Sequence, residues 1–280
     1  MKEGLNFAFL DENSKKEIRR TILKAIAIPG YQVPFASREL PIARGWGTGG
    51  LQISLSIVGK DDTIKVIDQG SDESVNAVNI KKLIVDSTGV KDTIRTQEAD
   101  IIQSRHRIPE IPLKEDQILV LQVPEPEPLR KAEAYEKKTK EMHAYGDYSI
   151  AWLNIFEEII RYGKASMHAD YPVIVEDHYL MAPSPIPRFD NPKLHRNKAL
   201  ILFGAGREKK IYALPPYTKV ESIDFEDYPF EREEFTGKSC RLTGASDVFL
   251  DELQDEETGE TYYQVNDQSY MLELLNREED

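Results

Sequence analysis

The sequence predicts an α+β protein: a mixed-sheet core, a helical insertion and a small C-terminal β-hairpin module of zinc-ribbon-like pattern. Three observations carry that class. Hairpin-like strand pairs are interleaved with longer apolar strand segments. Helical patterns are segregated instead of alternating regularly with strands. Two proline clusters, at 124–128 and 183–187, bracket a charged helical stretch. The chain therefore divides into an α+β core over 1–127, a helical insertion over 128–186, a return to the core over 187–234 and a hairpin module over 235–280.

Residues 11–27 read as a helix. Asp11 can cap it, Ser14 with Glu17 offers a second cap, and Ile18, Ile22, Ala25 and Ile26 form one apolar stripe. Ile28-Pro29-Gly30-Tyr31 ends it, because proline disfavours a helical residue before it and glycine turns freely. Gly45-Trp46-Gly47-Thr48-Gly49-Gly50 reads as a turn, with Trp46 filling core, that does not open a helix. Residues 51–57 alternate apolar and polar as a half-buried strand does, with 64–67 as the neighbouring strand. Residues 100–107 lead into a stiff extended piece, Ile108-Pro109-Glu110-Ile111-Pro112, and 118–123 read as a more deeply buried strand.

From 130 to 163 the pattern is helical and highly charged, with Ile150, Leu153, Phe156, Ile159 and Ile160 on one face and Gly163 as its stop. That face suits a docking partner or the arm's own sheet. Strand signals resume at 199–203 and 211–214, and the tail pairs 248–250 with 262–265 around a turn at 257–260.

Composition narrows the function classes. The formal net charge of -13 disfavours nucleic acid, whose phosphates need Lys and Arg to replace their counterions. The acidity gathers at 251–260 and 278–280 and reads as solvated surface. No stretch is apolar for the ~20 residues of a membrane span, and the N-terminus carries no apolar signal core, so a cytoplasmic location without a membrane partner is expected. A single cysteine, Cys240, rules out an internal disulfide framework.

Five features are candidates for chemistry. Gly204, Gly206, Arg207 and Lys209 follow a strand and suit a phosphate, although a tight strand connection uses the same glycines. His106 lies between Arg105 and Arg107, whose charge would keep the imidazole neutral and fit for a metal. With no second histidine nearby in sequence, a hydrogen-bonded histidine is the plainer local reading. Gly30 is a turn residue by default. The chemical alternative is a glycyl radical, since a glycine α-carbon has no Cβ to force an unpaired electron out of plane. Cys240, in Ser239-Cys240-Arg241-Leu242-Thr243-Gly244, would start a metal knuckle if Thr243 were a ligand. Last, the arm over 128–186 is a docking surface.

Taken together, these segments resemble one family, the J subunit of bacterial carbon–phosphorus lyase (PhnJ). The likeness runs from about Asn6 to Met271. It rests on long runs: Ala27-Ile28-Pro29-Gly30-Tyr31-Gln32-Val33-Pro34-Phe35, Gly45-Trp46-Gly47-Thr48-Gly49-Gly50, Arg105-His106-Arg107-Ile108-Pro109-Glu110, Phe189-Asp190-Asn191-Pro192-Lys193 and Phe203-Gly204-Ala205-Gly206-Arg207-Glu208-Lys209.

The resemblance implies a radical S-adenosylmethionine enzyme with a [4Fe-4S] cluster. It would cleave the carbon–phosphorus bond of α-D-ribose 1-methylphosphonate 5-phosphate, releasing methane and the ribose 1,2-cyclic phosphate 5-phosphate. It implies that Gly30 stores the radical. It implies that His106 shares a metal ion, zinc being the candidate, with the I subunit, and that the insertion docks an ATP-binding-cassette subunit. It also places four family cysteines at Cys240, Thr243, Val265 and Met271, of which only the first is a cysteine here. Threonine is a poor ligand, valine is none, and a thioether is a weak donor with no S–H from which a thiyl radical forms. The resemblance thus implies either a lyase subunit by lineage or a catalytically silent structural or phosphonate-ester-binding paralogue.

Overall fold

The computed structural model describes residues 13, 15–17, 20, 32–34, 49–68, 71–105, 107–123, 133–145, 147–163, 173–175, 179–181, 191–205, 210–222, 235–246 and 248–278. Its centre is a seven-stranded mixed sheet. In chain order the strands are β1 (Gln32–Pro34), β2 (Thr63–Asp68), β3 (Lys91–Asp92), β4 (Ile101–Arg105), β5 (Ile118–Val123), β8 (Leu200–Ala205) and β9 (Lys210–Leu214), arranged β1-β9-β8-β5-β4-β2-β3. Strands β3, β2, β4, β5 and β8 pair parallel, and β9 pairs antiparallel with both β8 and β1. The α+β class and the mixed sheet expected from the sequence are what is found.

Two helices cover one face. Helix α1 (Gly49–Ile57) packs on β5 and β8, and α2 (Val75–Thr88) packs on β2. Helix α2 is set by its ends: Ser74 Oγ accepts from Ala77 N at 3.1 Å, and Gly89, at φ 74, closes it by donating to Val85 O. Ala77, Ile80 and Ile84 are its buried stripe. The opposite face of the sheet buries Ile67, Ile102, Leu119, Leu121 and Ile201 beneath Ile108, Leu113, Leu194 and Val220.

The 51–57 segment corrects the expected strand. It is helix α1, opened by Gly49 and Gly50, so the glycine run does lead into a helix and β2 is not its sheet neighbour. The alternation misled because the helix is buried all round. Leu51, Ile53, Leu55 and Ile57 are buried, and so are Ser54 and Ser56 between them. Gly50 lets this helix come close, since a Cβ there would lie 2.6 Å from Gln122 Cβ.

The arm has two helices, α3 (Glu136–Tyr145) and α4 (Ser149–Tyr162), where the sequence suggested one pattern. Asp147 starts the second by accepting from Ser149 N. Strands β6 (Val173–Val175) and β7 (Tyr179–Met181) form a small antiparallel sheet with β10 (Val220–Ser222), which lies in the return segment. Short helix α5 (Asn191–Arg196) precedes β8.

The tail is a hairpin, β11 (Leu250–Gln254) with β12 (Thr261–Val265), shifted slightly from the expected strands. Helix α6 (Gln268–Glu278) then completes the module. Neither α2 nor α6 was anticipated. Of the expected helix over 11–27, Asn13, 15–17 and Arg20 are helical, and the rest lies outside the described residues, as do both proline clusters.

Candidate functional site

The strand register aligns one row across the sheet at the carboxyl end of the parallel strands. Asp68 pairs with Arg105, Arg105 with Gln122, Gln122 with Gly204, and Gly204 with Ile211 of β9. The start of α1 packs onto Gln122 in this row. Ligands of open sheets with parallel strands gather at that edge. Arg105 precedes His106, and Gly204 leads the glycine run, so the register gives both candidate positions the same edge of departure. His106, Gly206, Arg207, Lys209 and Gly30 themselves lie outside the described residues.

The charge beside His106 is more balanced than the sequence suggested. Arg105 makes a bidentate pair with Asp68, Nε to Oδ1 at 2.6 Å and Nη2 to Oδ2 at 2.7 Å. Arg107 stacks its guanidinium on the Phe249 ring, reaching into the C-terminal module.

A second locus is that module. Cys240, Leu250 and Val265 are each 2% exposed and form its core, with Phe235, Ala245, Val248, Tyr263, Tyr270 and Met271 packed against them. Cys240 N donates to Ala245 O at 2.8 Å and Gly244 N to Cys240 O at 2.9 Å, which folds 240–245 into a tight knuckle. Burial pushes the Cys240 thiol up. Hydrogen bonds from the Thr243 side chain and from the backbone N–H groups of Val265, Thr243 and Leu242 outweigh that and hold it below its ordinary value. The structure therefore brings Cys240, Thr243, Val265 and Met271 to one place.

The residues present there do not fit an iron–sulfur cluster. One thiol faces a valine isopropyl group and packed aromatic rings, and the Met271 thioether accepts from Gln264 Nε2 at 3.3 Å. Among the described residues no three His, Cys, Asp or Glu side chains are grouped to hold a metal ion.

The third locus was not foreseen. Lys65, in the middle of β2, is fully buried and donates to Thr96 Oγ1 and to Ser269 Oγ, both at 3.0 Å. Asp267 Oδ1 lies 3.9 Å from its Nζ. Burial pushes the Lys65 pKa down, and Asp267 and Asp72 pull it partly back. Asp72, 4% exposed, is pushed up by burial while Lys65 lowers it. A signal was present: Ile64-Lys65-Val66-Ile67 sets a lysine inside an apolar strand that is covered on both faces, a place lysine seldom takes unpaired.

The arm exposes the apolar face read from the sequence. Ile150, Leu153, Phe156 and Ile160 of α4 are all exposed, while Met142, Tyr148 and Ala151 make the arm's own small core with Trp152 beside it. Among the described residues the arm's small sheet does not cover these four side chains. No helix among the described residues is long and apolar enough to cross a membrane.

A mixed sheet with an inserted helical arm and an appended cysteine-knuckle module defines a multi-part α+β scaffold with its candidate sites on separate parts. The family model of "Phosphonate metabolism protein PhnJ" matches residues 3–277, and the chain belongs to that family. It is 56% identical over 262 residues to "Alpha-D-ribose 1-methylphosphonate 5-phosphate C-P-lyase" of Rhizobium meliloti (strain 1021), covering 94% of this chain and 88% of the relative. It is 51% identical over 267 residues to the "Alpha-D-ribose 1-methylphosphonate 5-phosphate C-P lyase" of Escherichia coli (strain K12), covering 95% of each.

Proposed function

We propose that this chain is a J-type subunit of a carbon–phosphorus lyase complex in phosphonate catabolism, contributing scaffold and ligand-binding surface without cluster-borne radical chemistry of its own. The observation that carries this reading is the packing of Val265 and Met271 around Cys240, where the family resemblance places further thiolates. An apolar core fills the position, and no step is routed through a cluster or S-adenosylmethionine there. The phosphate end of a ribose phosphonate would meet the glycine run, which Gly204 begins at the carboxyl edge of the sheet, and its backbone N–H groups with Arg207 and Lys209 would supply the anion site.

The exposed face of α4 supports docking of the ATP-binding-cassette subunit, and His106 is the position proposed to share a metal, zinc by preference, with the I subunit. The setting is the cytoplasm. A second reading, turnover by this chain, is favoured by its 51% and 56% identity to proteins named as C-P lyases.

Methane release separates the two. Core complex purified anaerobically with this as its sole J-type chain is given the ribose methylphosphonate phosphate, S-adenosylmethionine and a reductant. No methane and no iron–sulfur absorbance, from a complex that still co-purifies with the I subunit, is the expected result. Methane above the chain-free background overturns it.

A further inference from the structure

The C-terminal module meets the sheet through a small set of buried polar contacts. Ser269 Oγ lies 2.9 Å from Thr96 Oγ1 and also donates to Asp267 Oδ1 at 2.9 Å, so Lys65, Thr96, Ser269 and Asp267 form one closed network. Thr96, Asp267 and Ser269 are buried with Lys65. Asp267 Oδ1 also accepts from Tyr270 N at 3.3 Å, so the same carboxylate caps the helix that carries Met271. Glu110 completes the seat. Its N–H donates to Asp267 Oδ2, and its Oε1 accepts from Phe249 N at 3.2 Å and pairs with Lys193 Nζ at 2.7 Å.

Asp72 stands apart from this satisfied set. Among the described residues its buried carboxylate oxygens meet no partner beyond the Asp72 backbone N–H, although it acts electrostatically on Lys65. A buried carboxylate left in that state is costly, and native structures rarely retain one without an alternative partner or proton.

We propose that Lys65 is a two-position latch: with the C-terminal module seated, its ammonium is held by Ser269, Thr96 and Asp267, and when the module lifts from the sheet, Asp72 takes it. In the seated state two carboxylates face one ammonium and Asp72 is the unsatisfied one. Lifting lets Asp72 pair with Lys65 or reach water, so Asp72 limits how long the seat lasts. The charges facing this site are Lys65 on β2, Asp72 before α2, Lys81 on α2 and Asp267 before α6. Lys65 is a positioning residue, because it fixes the first turn of α6 and through it Met271 and Tyr270 against Cys240. The latch does not depend on the function proposed above.

Two sets of amides distinguish lifting from unfolding. The Glu110 and Phe249 N–H groups bond across the seat, whereas Cys240 N and Arg241 N bond within the module, the latter to Tyr263 O at 2.7 Å. Hydrogen exchange of the full chain is measured at these four amides in Lys65→Met and Asp72→Asn.

In Lys65→Met the Glu110 and Phe249 amides should exchange about tenfold faster or more, because a buried carboxylate loses its counter-charge, while the Cys240 and Arg241 amides stay within about twofold. In Asp72→Asn the seat amides should slow by about threefold or more, since the competing charge is gone. Unchanged seat amides in Lys65→Met, equal acceleration of all four amides, or unchanged or faster seat exchange in Asp72→Asn would overturn the proposal. If Lys65→Met does not fold, the Asp72→Asn result decides alone.

Discussion

Restoring cysteine at Thr243, Val265 and Met271 together tests whether these positions surround one point, as the packing around Cys240 indicates. Val265 is 2% exposed, and its change to cysteine removes about one buried methyl equivalent. The Met271 change removes two heavy atoms from a partly buried side chain, and the Thr243 change removes the hydroxyl that accepts from Ala245 N at 3.4 Å and bonds the Cys240 thiol. At about 0.8 kcal/mol per buried methylene plus a cavity term, the metal-free triple variant should lose roughly 3 kcal/mol of module stability.

A loss of that size raises the population of the open module roughly a hundredfold. A thiol reagent reads this directly, since Cys240 is the only thiol of the parent. The parent should react slowly and with one equivalent, and neither zinc nor a chelator should change its rate. The triple variant should react about a hundredfold faster, with four equivalents, and zinc should protect all four, because four thiolates in one tetrahedral site stabilise a fold by about 10 kcal/mol or more. Failure of zinc to protect, in a variant whose Arg241 and Cys240 amides remain slow to exchange, would refute the convergence of the four positions.

Gly50→Ala should destabilise the core by about 1–3 kcal/mol in chemical denaturation, despite alanine's better helix propensity, because the new Cβ meets Gln122 Cβ at 2.6 Å. Asp72→Asn should flatten the pH dependence of stability. Burial raises the Asp72 pKa above its ordinary 3.8, so the stability it lends is fully present below that value and lost as pH rises through the raised pKa. Thermal melts should therefore show the variant more stable than the parent at neutral pH and the two converging below the ordinary value. Leu153→Ser with Ile160→Ser should shift chain stability by less than about 1 kcal/mol, since both side chains are exposed, yet weaken capture of the ATP-binding-cassette subunit by about tenfold or more in a pull-down titration.

The strands were legible where apolar runs met turn residues. Residues 64–67, 118–123 and 211–214 fall in the central sheet, as does 199–203 after its first residue; in the tail the second strand was placed within one residue, while the first runs on to Gln254 where 248–250 was expected. Helix α1 was misread because burial on every side removes the polar face from which a 3.6-residue period is recognised, leaving a chance alternation of serines and aliphatics. Helix α2 was overlooked although Ser74 and Gly89 mark both its ends.

At the candidate sites, spacing alone could pair Cys240 with Thr243 across a knuckle. Only the hairpin register and the first turn of α6 bring Val265 and Met271 to the same point. The Lys65 latch joins residues more than two hundred positions apart, which no local pattern reports.

The arm's attachment to the sheet has a mechanical consequence. The chain leaves the sheet at Val123, the far end of β5, and rejoins it at Leu200, the near end of the parallel neighbour β8. At about 3.3 Å per residue these points lie ~17 Å apart along the strands. Tension applied by anything gripping the arm would reach β5 directly at Val123, whereas on the return side the packing of Leu194 on the sheet and the Lys193–Glu110 pair take up load before Leu200. Force on the arm thus arrives at the end of β5, beside Gln122 and Gly204, where the glycine run begins.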